Sequence, residues 1–459
     1  MAGIGRAEAD HAGQRQQIGY IRTLHRLHRF FLYGPHEYLG AFSHHPQRQR
    51  FIKAEDCLLI NFMSQEILPK SVLYGISARI GGVGLDLVAR ETIRGIEPYL
   101  GKAISYGVQA PDIDRRKMKT LRFHPVRLLS NLERKYYYAA KKRAVDRVAA
   151  QFLKTGRFDL FHVWSGSGLH SLRVARSLGI PSLLEIPTWH RQKGKVLPPK
   201  MEHEIAMENA PIPQRWLNRL LISRQESLEE YELADLLLVE SEKAADSFRV
   251  LGFPNEKLYS MPQGVDEHRF QPGPPPPLFR AVFVGALIKR KGVHILIEAW
   301  KKLKLPRAEL WLAGYPHEEI KPYLVDLPAN VKVLGFRTDV ENVFRAGSVH
   351  VFPSSLEGSA KTTYEAAACA LAQITTREAG DVVVDGVNGL VIPPNDADAC
   401  ASAIQFLYDH PDMVRRYGAA GRERILEQFT WAHFRERVLA AYRLVMARAA
   451  ESRRLHPVQ

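Results

Sequence analysis

From residue 71 onward, short apolar runs take turns with segments whose apolar residues recur at helical spacing. "SVLYGIS" (71–77) is a β-rich run, "RIGGVG" a glycine turn, and "LDLVARETIRGI" a helical pattern. "FDLFHVWS" (158–165) reads as a strand, "SGLHSLRVARSLG" as a helix closed by Gly179, and "IPSLLEIP" as the next strand. "LADLLLVES" and "KLYSMPQGVD" follow as strands with a helix between them. This β-α-β succession predicts a parallel sheet covered by helices on both faces.

"FQPGPPPPLF" (270–279) interrupts the alternation. Four consecutive prolines enter neither a helix nor a central strand, so the stretch predicts a semi-rigid linker and a domain boundary. The pattern then restarts: strand "RAVFVGAL", helix "GVHILIEAWKKL", strands "AELWLAG" and "VKVLGF", helix "DVENVFRAG", strand "VHVFPSS". A further helix over 361–371, strands "QITT" and "GLVIPP", and helix "DADACASAIQFLYDH" complete it. The fold class expected is α/β, two Rossmann-like parallel-sheet domains facing across a cleft: an N-terminal domain over 63–270 and a C-terminal domain over 271–430. Ligands of such sheets bind at the carboxyl ends of the strands, which places the expected site in that cleft.

Composition narrows the class. The 459 residues are 46% hydrophobic and 25% charged, a globular balance too long for one ordinary core. Residues 1–62 show no sustained period and are expected to be a disordered or untranslated extension, with Met63 an alternative start; a basic arm is the other reading. Neither a secretory apolar segment nor a membrane-spanning run is legible. Cys57, Cys369 and Cys400, odd in number and far apart, suggest neither a disulfide framework nor a metal site. A reducing, cytoplasmic setting follows as the expectation. The net charge of +15 then points to an acidic partner: nucleic acid, anionic lipid or a phosphorylated substrate.

The candidate chemistry lies in "PSSLEGSAKTTYEAAACALAQI" (353–374). A strand runs into Glu357 and Gly358, and a helix begins near Lys361. Gly358 lets the backbone approach a ligand, and the N–H groups of Ser359, Ala360 and Lys361 form a helix N-terminus suited to a diphosphate. Glu365, one turn in, suits the hydroxyls of a ribose, and Glu357 a neutral sugar on the other side of the phosphates. The same residues also fit a plainer reading, in which Glu357 balances the helix dipole and a solvent-facing Glu365 pairs with Lys361.

Several stretches together resemble the retaining glycosyltransferases of family 4, which have the GT-B fold. Glu357 and Glu365 match the family's E-x7-E signature. "SMPQGVDEHRFQP", "FVGALIKRKGVHILIEA", "REAGDVVVDGVNGLVIPPND" and "FTWAHF" match its other segments in order, across roughly 71 to 447. The resemblance implies a nucleotide-diphosphate sugar as donor, a glycan or lipid-linked acceptor in envelope or exopolysaccharide synthesis, and no metal or other cofactor. It implies that Lys291, with Arg290, grips the diphosphate, that Glu365 binds the ribose and Glu357 the sugar, and that Gly81 and Gly82 admit the reacting centre. His190, in "LLEIPTWH", falls beside the donor sugar, and Phe336 and Arg337, in "LGFR", near the base. The catalytic set is therefore His190, Glu357 and Lys291, with Gly358, Ser359, Ala360 and Lys361 completing the donor site. A closing helix over 431–459 is expected to return to the N-terminal domain. Departures include Ala286 where the family often has arginine, "EGSA" for "EGFG", and "ACALA" for "ACGLP".

In 115–157, Leu128, Leu132, Ala139, Val145, Val148 and Phe152 form an apolar face opposite Lys and Arg. Peripheral docking to anionic lipid at the inner face of the membrane is one reading, and a helix packed on the sheet the other. Rival functions are a nucleotide-sugar epimerase, a silent scaffold of the same fold, and a nucleic-acid-binding protein; the last lacks any readout module, and nucleic acid is not expected as a partner.

Overall fold

The computed structural model describes residues 68–455, so the extension expected over 1–62 lies outside the described residues. The first half builds a seven-stranded parallel sheet. Its elements are β1 (Val72–Ile80), α1 (Leu85–Ile96), β2 (Leu100–Val108), β3 (Met118–Thr120), α2 (Arg134–Thr155), β4 (Leu160–Trp164) and α3 (Leu169–Ser177). They continue with β5 (Ser182–Ile186), α4 (Pro199–Glu208), α5 (Ile212–Asn218), α6 (Arg224–Leu233), β6 (Leu236–Val239), α7 (Glu242–Arg249) and β7 (Leu258–Ser260). Strand order is β3-β2-β1-β4-β5-β6-β7. Both faces are covered. Val145, Ala149, Leu172 and Phe248 pack from α2, α3 and α7 on one side, and Val88, Ile93 and Ile96 of α1 on the other.

The second half is a six-stranded parallel sheet of order β10-β9-β8-β11-β12-β13. It comprises β8 (Phe279–Val284), α8 (Val293–Lys302), β9 (Ala308–Ala313), β10 (Val331–Gly335), α9 (Val340–Arg345), β11 (Val349–Phe352), α10 (Lys361–Ala368), β12 (Ala372–Thr375), β13 (Gly389–Val391), α11 (Ala397–Asp409) and α12 (Pro411–Gln428). Apolar residues of α8 and α11 fill one face, and those of α9, α10 and α12 the other.

The last helix, α13 (Trp431–Leu455), leaves this second domain and completes the first. Its Trp431, Phe434, Val438, Ala441, Tyr442 and Val445 lie in one cluster with β1 and α1. Arg435 pairs with buried Glu91 of α1 at 2.5 Å, and the Tyr442 hydroxyl meets His162 Nδ1 of β4 at 2.8 Å. Outgoing and returning chain run side by side, with Val265 N–H donating to Phe429 O at 2.9 Å.

Three parts differ from the sequence pattern. Strands β2 and β3 go unmarked because Gly101, Lys102, Ser105 and Gly107 break the apolar run; pairing with β1 makes β2 a strand. Between β5 and β6 the chain runs through three helices, the first two each opened by proline in its first turn. In 115–157 the helix begins only at Arg134, so Leu128 and Leu132 lie outside it. Nor do Lys141, Lys142 and Arg143 of α2 form an open face: Lys141 is buried, Lys142 reaches toward Ser165 O at 3.4 Å, and Arg143 is clamped by Glu226 at 2.9 Å. Among the described residues no helix is long and apolar enough to cross a membrane.

Candidate functional site

Two loops at the carboxyl edge of the second sheet build the charged centre. The turn after β8 carries Arg290 and Lys291 and ends at Gly292, whose left-handed backbone (φ 74°) starts α8. A Cβ at Gly292 would collide with Pro353, so the turn lies flat against the end of β11. The Arg290 carbonyl accepts from Ser355 N–H (2.9 Å) and Ser354 Oγ (3.0 Å), which locks this turn to the 354–357 loop. Glu357 is thereby held between two cations: its Oε1 lies 2.9 Å from Arg290 Nη1 and 3.1 Å from Lys291 Nζ. Ala286 brings no charge here, and Arg290 approaches Glu357 from the neighbouring turn.

The start of α10 lies beside this group. The Ala360 N–H is not free, because it donates to Ala379 O at 2.7 Å; the expectation that it serves an anion is corrected. The N–H groups of Lys361 and Thr362 open the helix without backbone partners among the described residues, and the Thr362 hydroxyl is buried and unpaired. Glu365, 6% exposed, is not solvent-facing. Burial pushes its carboxyl up from the usual range, opposed by Lys361, whose Nζ is 3.3 Å away. Phe336 is exposed after β10, and Arg337 beside it is paired with Asp339 at 2.7 Å.

The first domain meets this centre with the carboxyl ends of its own strands. Ser241 Oγ donates to Gly358 O (2.6 Å), Glu242 N–H to Asp381 Oδ2 (2.6 Å), and Lys243 pairs with Glu378 (3.2 Å). A Cβ on Gly358 would lie 2.5 Å from Glu240 Oε2 and closer still to the Pro187 carbonyl oxygen. Gly358 is therefore where the two domains approach most tightly in this loop.

Glu240 is a residue the sequence reading missed. Burial, and next the charge of Glu185, push its carboxyl well above the usual carboxylate range. Gln263 Nε2 donates to it at 3.1 Å. A glutamate after the apolar run "LLLV" and a glutamine where the family segment has asparagine were the available signals.

His190 lies three residues beyond Pro187, on the loop after β5. Its ring packs against Tyr231 and Phe248, with centroids 5.1 and 4.7 Å away, and burial lowers it to about 4. Nδ1 accepts from Gln192 N–H at 3.1 Å, which leaves the proton of the neutral ring on Nε2. Trp189 Nε1 and Gln192 Oε1, on the same loop, are buried without partners. Gly81 (φ 95°) and Gly82 turn the chain after β1; a Cβ on Gly81 would strike Ala110, and one on Gly82 would lie 2.6 Å from Asp86 Oδ2.

The structure thus brings Arg290, Lys291, Glu357 and Gly358 together with the start of α10. It leaves Phe336 and Arg337 on a separate turn of the same sheet edge, and His190, Gly81 and Gly82 on loops of the first domain. A depression of about 290 Å³ lined by Ile93, Asp112 and Lys117 involves none of these residues.

Comparison with known proteins agrees with this arrangement. Residues 279–410 match the family model described as glycosyl transferases group 1. The chain is 36% identical over 185 residues to alpha-maltose-1-phosphate synthase of Mycolicibacterium smegmatis, covering 36% of this chain and 48% of that protein. It thus spans about half the length of that relative. It is 26% identical over 314 residues to MMP alpha-(1->4)-mannosyltransferase of Mycolicibacterium hassiacum, covering 65% of this chain and 73% of that one. Among solved structures, sucrose-phosphate synthase from Thermosynechococcus elongatus superposes with a TM-score of 0.60 at 19% identity, over 82% of this chain and 99% of that one. Anabaena HepE in complex with UDP-glucose gives 0.57 at 16% identity, over 83% and 99%. The fold is GT-B, residues 279–410 form a glycosyl transferases group 1 domain, and the chain is similar to glycosyltransferases of the family 4 type.

Proposed function

We propose that the protein transfers a sugar from a nucleotide-diphosphate sugar to an acceptor hydroxyl, with retention of configuration, in the synthesis of an envelope or exopolysaccharide glycan. The observation that carries this reading is Glu357 held between Arg290 and Lys291 beside the open first turn of α10. An incoming diphosphate takes both cations and the Lys361 and Thr362 N–H groups, and frees the Glu357 carboxylate to bind sugar hydroxyls. Glu365, buried one turn deeper, takes the ribose. As the bond to the anomeric carbon breaks, charge grows on the departing phosphate, where these preorganised donors act; one such donor is typically worth ~3–4 kcal/mol. The acceptor attacks from the same face, and the leaving phosphate oxygen receives its proton. His190 offers Nε2–H as a neutral hydrogen-bond donor.

Cations and a helix terminus meet the charge requirement of the diphosphate, so we propose turnover without a divalent ion. The test is calorimetry of UDP, GDP and ADP and their common sugars in chelator, on wild type and Glu365→Ala. One nucleotide should bind and weaken in the variant. Absence of binding by all of them would favour a silent scaffold, and release of an isomerised sugar without acceptor an epimerase.

Exposed Phe123 and Leu128, flanked by exposed Lys119, Arg122 and Arg134, support contact with an anionic membrane at this end of the first domain. Charge reversal at Lys119, Arg122 and Arg134 should release the protein from phosphatidylglycerol vesicles; unchanged co-sedimentation would refute the contact.

A further inference from the structure

A second cationic centre lies at the carboxyl ends of β1 and β2, on the sheet edge whose β6 end touches Gly358. Lys141 of α2 is 8% exposed, and its Nζ lies 4.5 Å from the ring centre of Tyr106, 5.2 Å from Tyr137 and 4.1 Å from Tyr138. Tyr106 takes a second cation on its ring, with Arg127 Cζ at 4.7 Å, and its hydroxyl is bonded to that of Tyr137. Arg79, exposed at the end of β1, lies opposite Gly107 of β2, and its charge reaches both Lys141 and Tyr137.

Arg79, Arg127 and Lys141 have no carboxylate within ion-pair distance among the described residues. The carboxylate that acts on this group is Asp86, turned toward the Gly82 loop and the Arg79 backbone N–H. Elsewhere on this domain several cations do have a carboxylate partner, as Arg143 has Glu226 and Arg173 has Glu229. Three cations that face one carboxylate, and that one outside ion-pair distance, repel one another, and a bound anion lowers that cost. Two guanidinium groups whose charge reaches the Tyr137 hydroxyl, itself bonded to that of Tyr106, suit the several oxygens of a phosphoryl group better than the two of a carboxylate.

We propose that this cluster is the acceptor's anion subsite, and that the acceptor is a phosphate or diphosphate ester whose phosphoryl group is held by Arg79, Arg127 and Lys141. The assignment rests on the transferase reading above and gives it a substrate class. The Gly81–Gly82 loop leaves the same strand end that carries Arg79, and the acceptor's sugar lies over that loop with its hydroxyl toward the donor site. The ester is either a free sugar phosphate or the headgroup of a lipid-linked sugar.

The test is calorimetry on the full chain with its donor site saturated by the nucleoside diphosphate that the panel identifies. The soluble arm compares glucose 1-phosphate with glucose, and the lipid arm compares detergent micelles of a short polyprenyl diphosphate with micelles of the polyprenol. In at least one arm the phosphorylated probe should bind at least tenfold more tightly. Arg79→Gln and Arg127→Gln should each weaken that binding about tenfold without weakening the unphosphorylated partner's. Whichever arm responds names the source. Equal binding within both pairs, or no loss in either variant, overturns the assignment. Arg79 is exposed, so its replacement tests the proposal even if Arg127→Gln fails to fold. Phosphate-dependent binding by a chain that takes no nucleotide would sink the transferase reading and leave an anion site.

Discussion

Replacing Gly358 by alanine tests whether the domain contact at this residue is part of the working enzyme. The Gly358 backbone does not have a positive φ, so the cost of a side chain there is steric alone. The new methyl would lie 2.5 Å from Glu240 Oε2 and 2.9 Å from Pro187 C, where ordinary contacts of such a carbon begin at 3.4 Å. Both obstacles belong to the first domain and Gly358 to the second, so the strain is relieved by parting the domains. Overpacking of this kind typically costs about 1–3 kcal/mol. Charged against the closed state, that is roughly a 5- to 150-fold loss in kcat/KM at ~1.36 kcal/mol per tenfold. Solution scattering should show a larger radius of gyration, and donor kinetics the matching loss. Unchanged scattering with unchanged kcat/KM would mean that the contact plays no part in turnover.

Glu357→Gln removes the charge shared by Arg290 and Lys291, so the free nucleoside diphosphate should bind as well as in wild type or several-fold better, while transfer falls about 100-fold or more; weaker diphosphate binding would contradict the exchange of partners described above. Glu230 accepts from Gly166 N–H at 2.6 Å and Gly168 N–H at 3.0 Å, and burial pushes its carboxyl up to about 7. A raised carboxyl binds more protons folded than unfolded between about pH 4.5 and 7, so it stabilises the fold below that window and the stability is lost as pH rises through it. Glu230→Gln should flatten this slope, worth on the order of 3 kcal/mol, in urea titrations at pH 5 and pH 8; parallel shifts at both pH values would count against it. His190, lowered to about 4, is neutral throughout the physiological range, so no inflection near pH 6.5 in kcat/KM should disappear in His190→Gln.

Strands buried on both faces, such as "LLLV" of β6 and "VHVF" of β11, are legible because their apolar runs are unbroken or broken only once, by buried His350 in β11. Strand β2 is not, since its glycines and lysine become strand-like only beside β1. The donor half of the site could be read locally: Glu357 to Glu365 lie on one loop and helix, and Arg290 and Lys291 on one turn. Glu240 could not, because its partner Gln263 follows on a different connection and Gly358 comes from the other domain. The cations of α2 are open to two readings in the sequence for a related reason. Helical spacing assigns Lys141 to a face, but only the fold brings Tyr106 from β2 to cover it.

The placement of α13 has a consequence for biosynthesis. The first sheet leaves the ribosome with one flank bare, since the side chains that cover β1 and α1 there, from Trp431 to Val445, are encoded only after the second domain. At 5–20 residues per second, the interval between the end of β7 and the arrival of this helix is roughly 10–40 s. Through that time the nascent chain presents the apolar flank that α13 later covers, while the second domain is being made. A stop codon or protease cut near residue 430 would therefore leave residues 279–410 in place and uncover the first domain, so a break beyond the second domain is felt in the first.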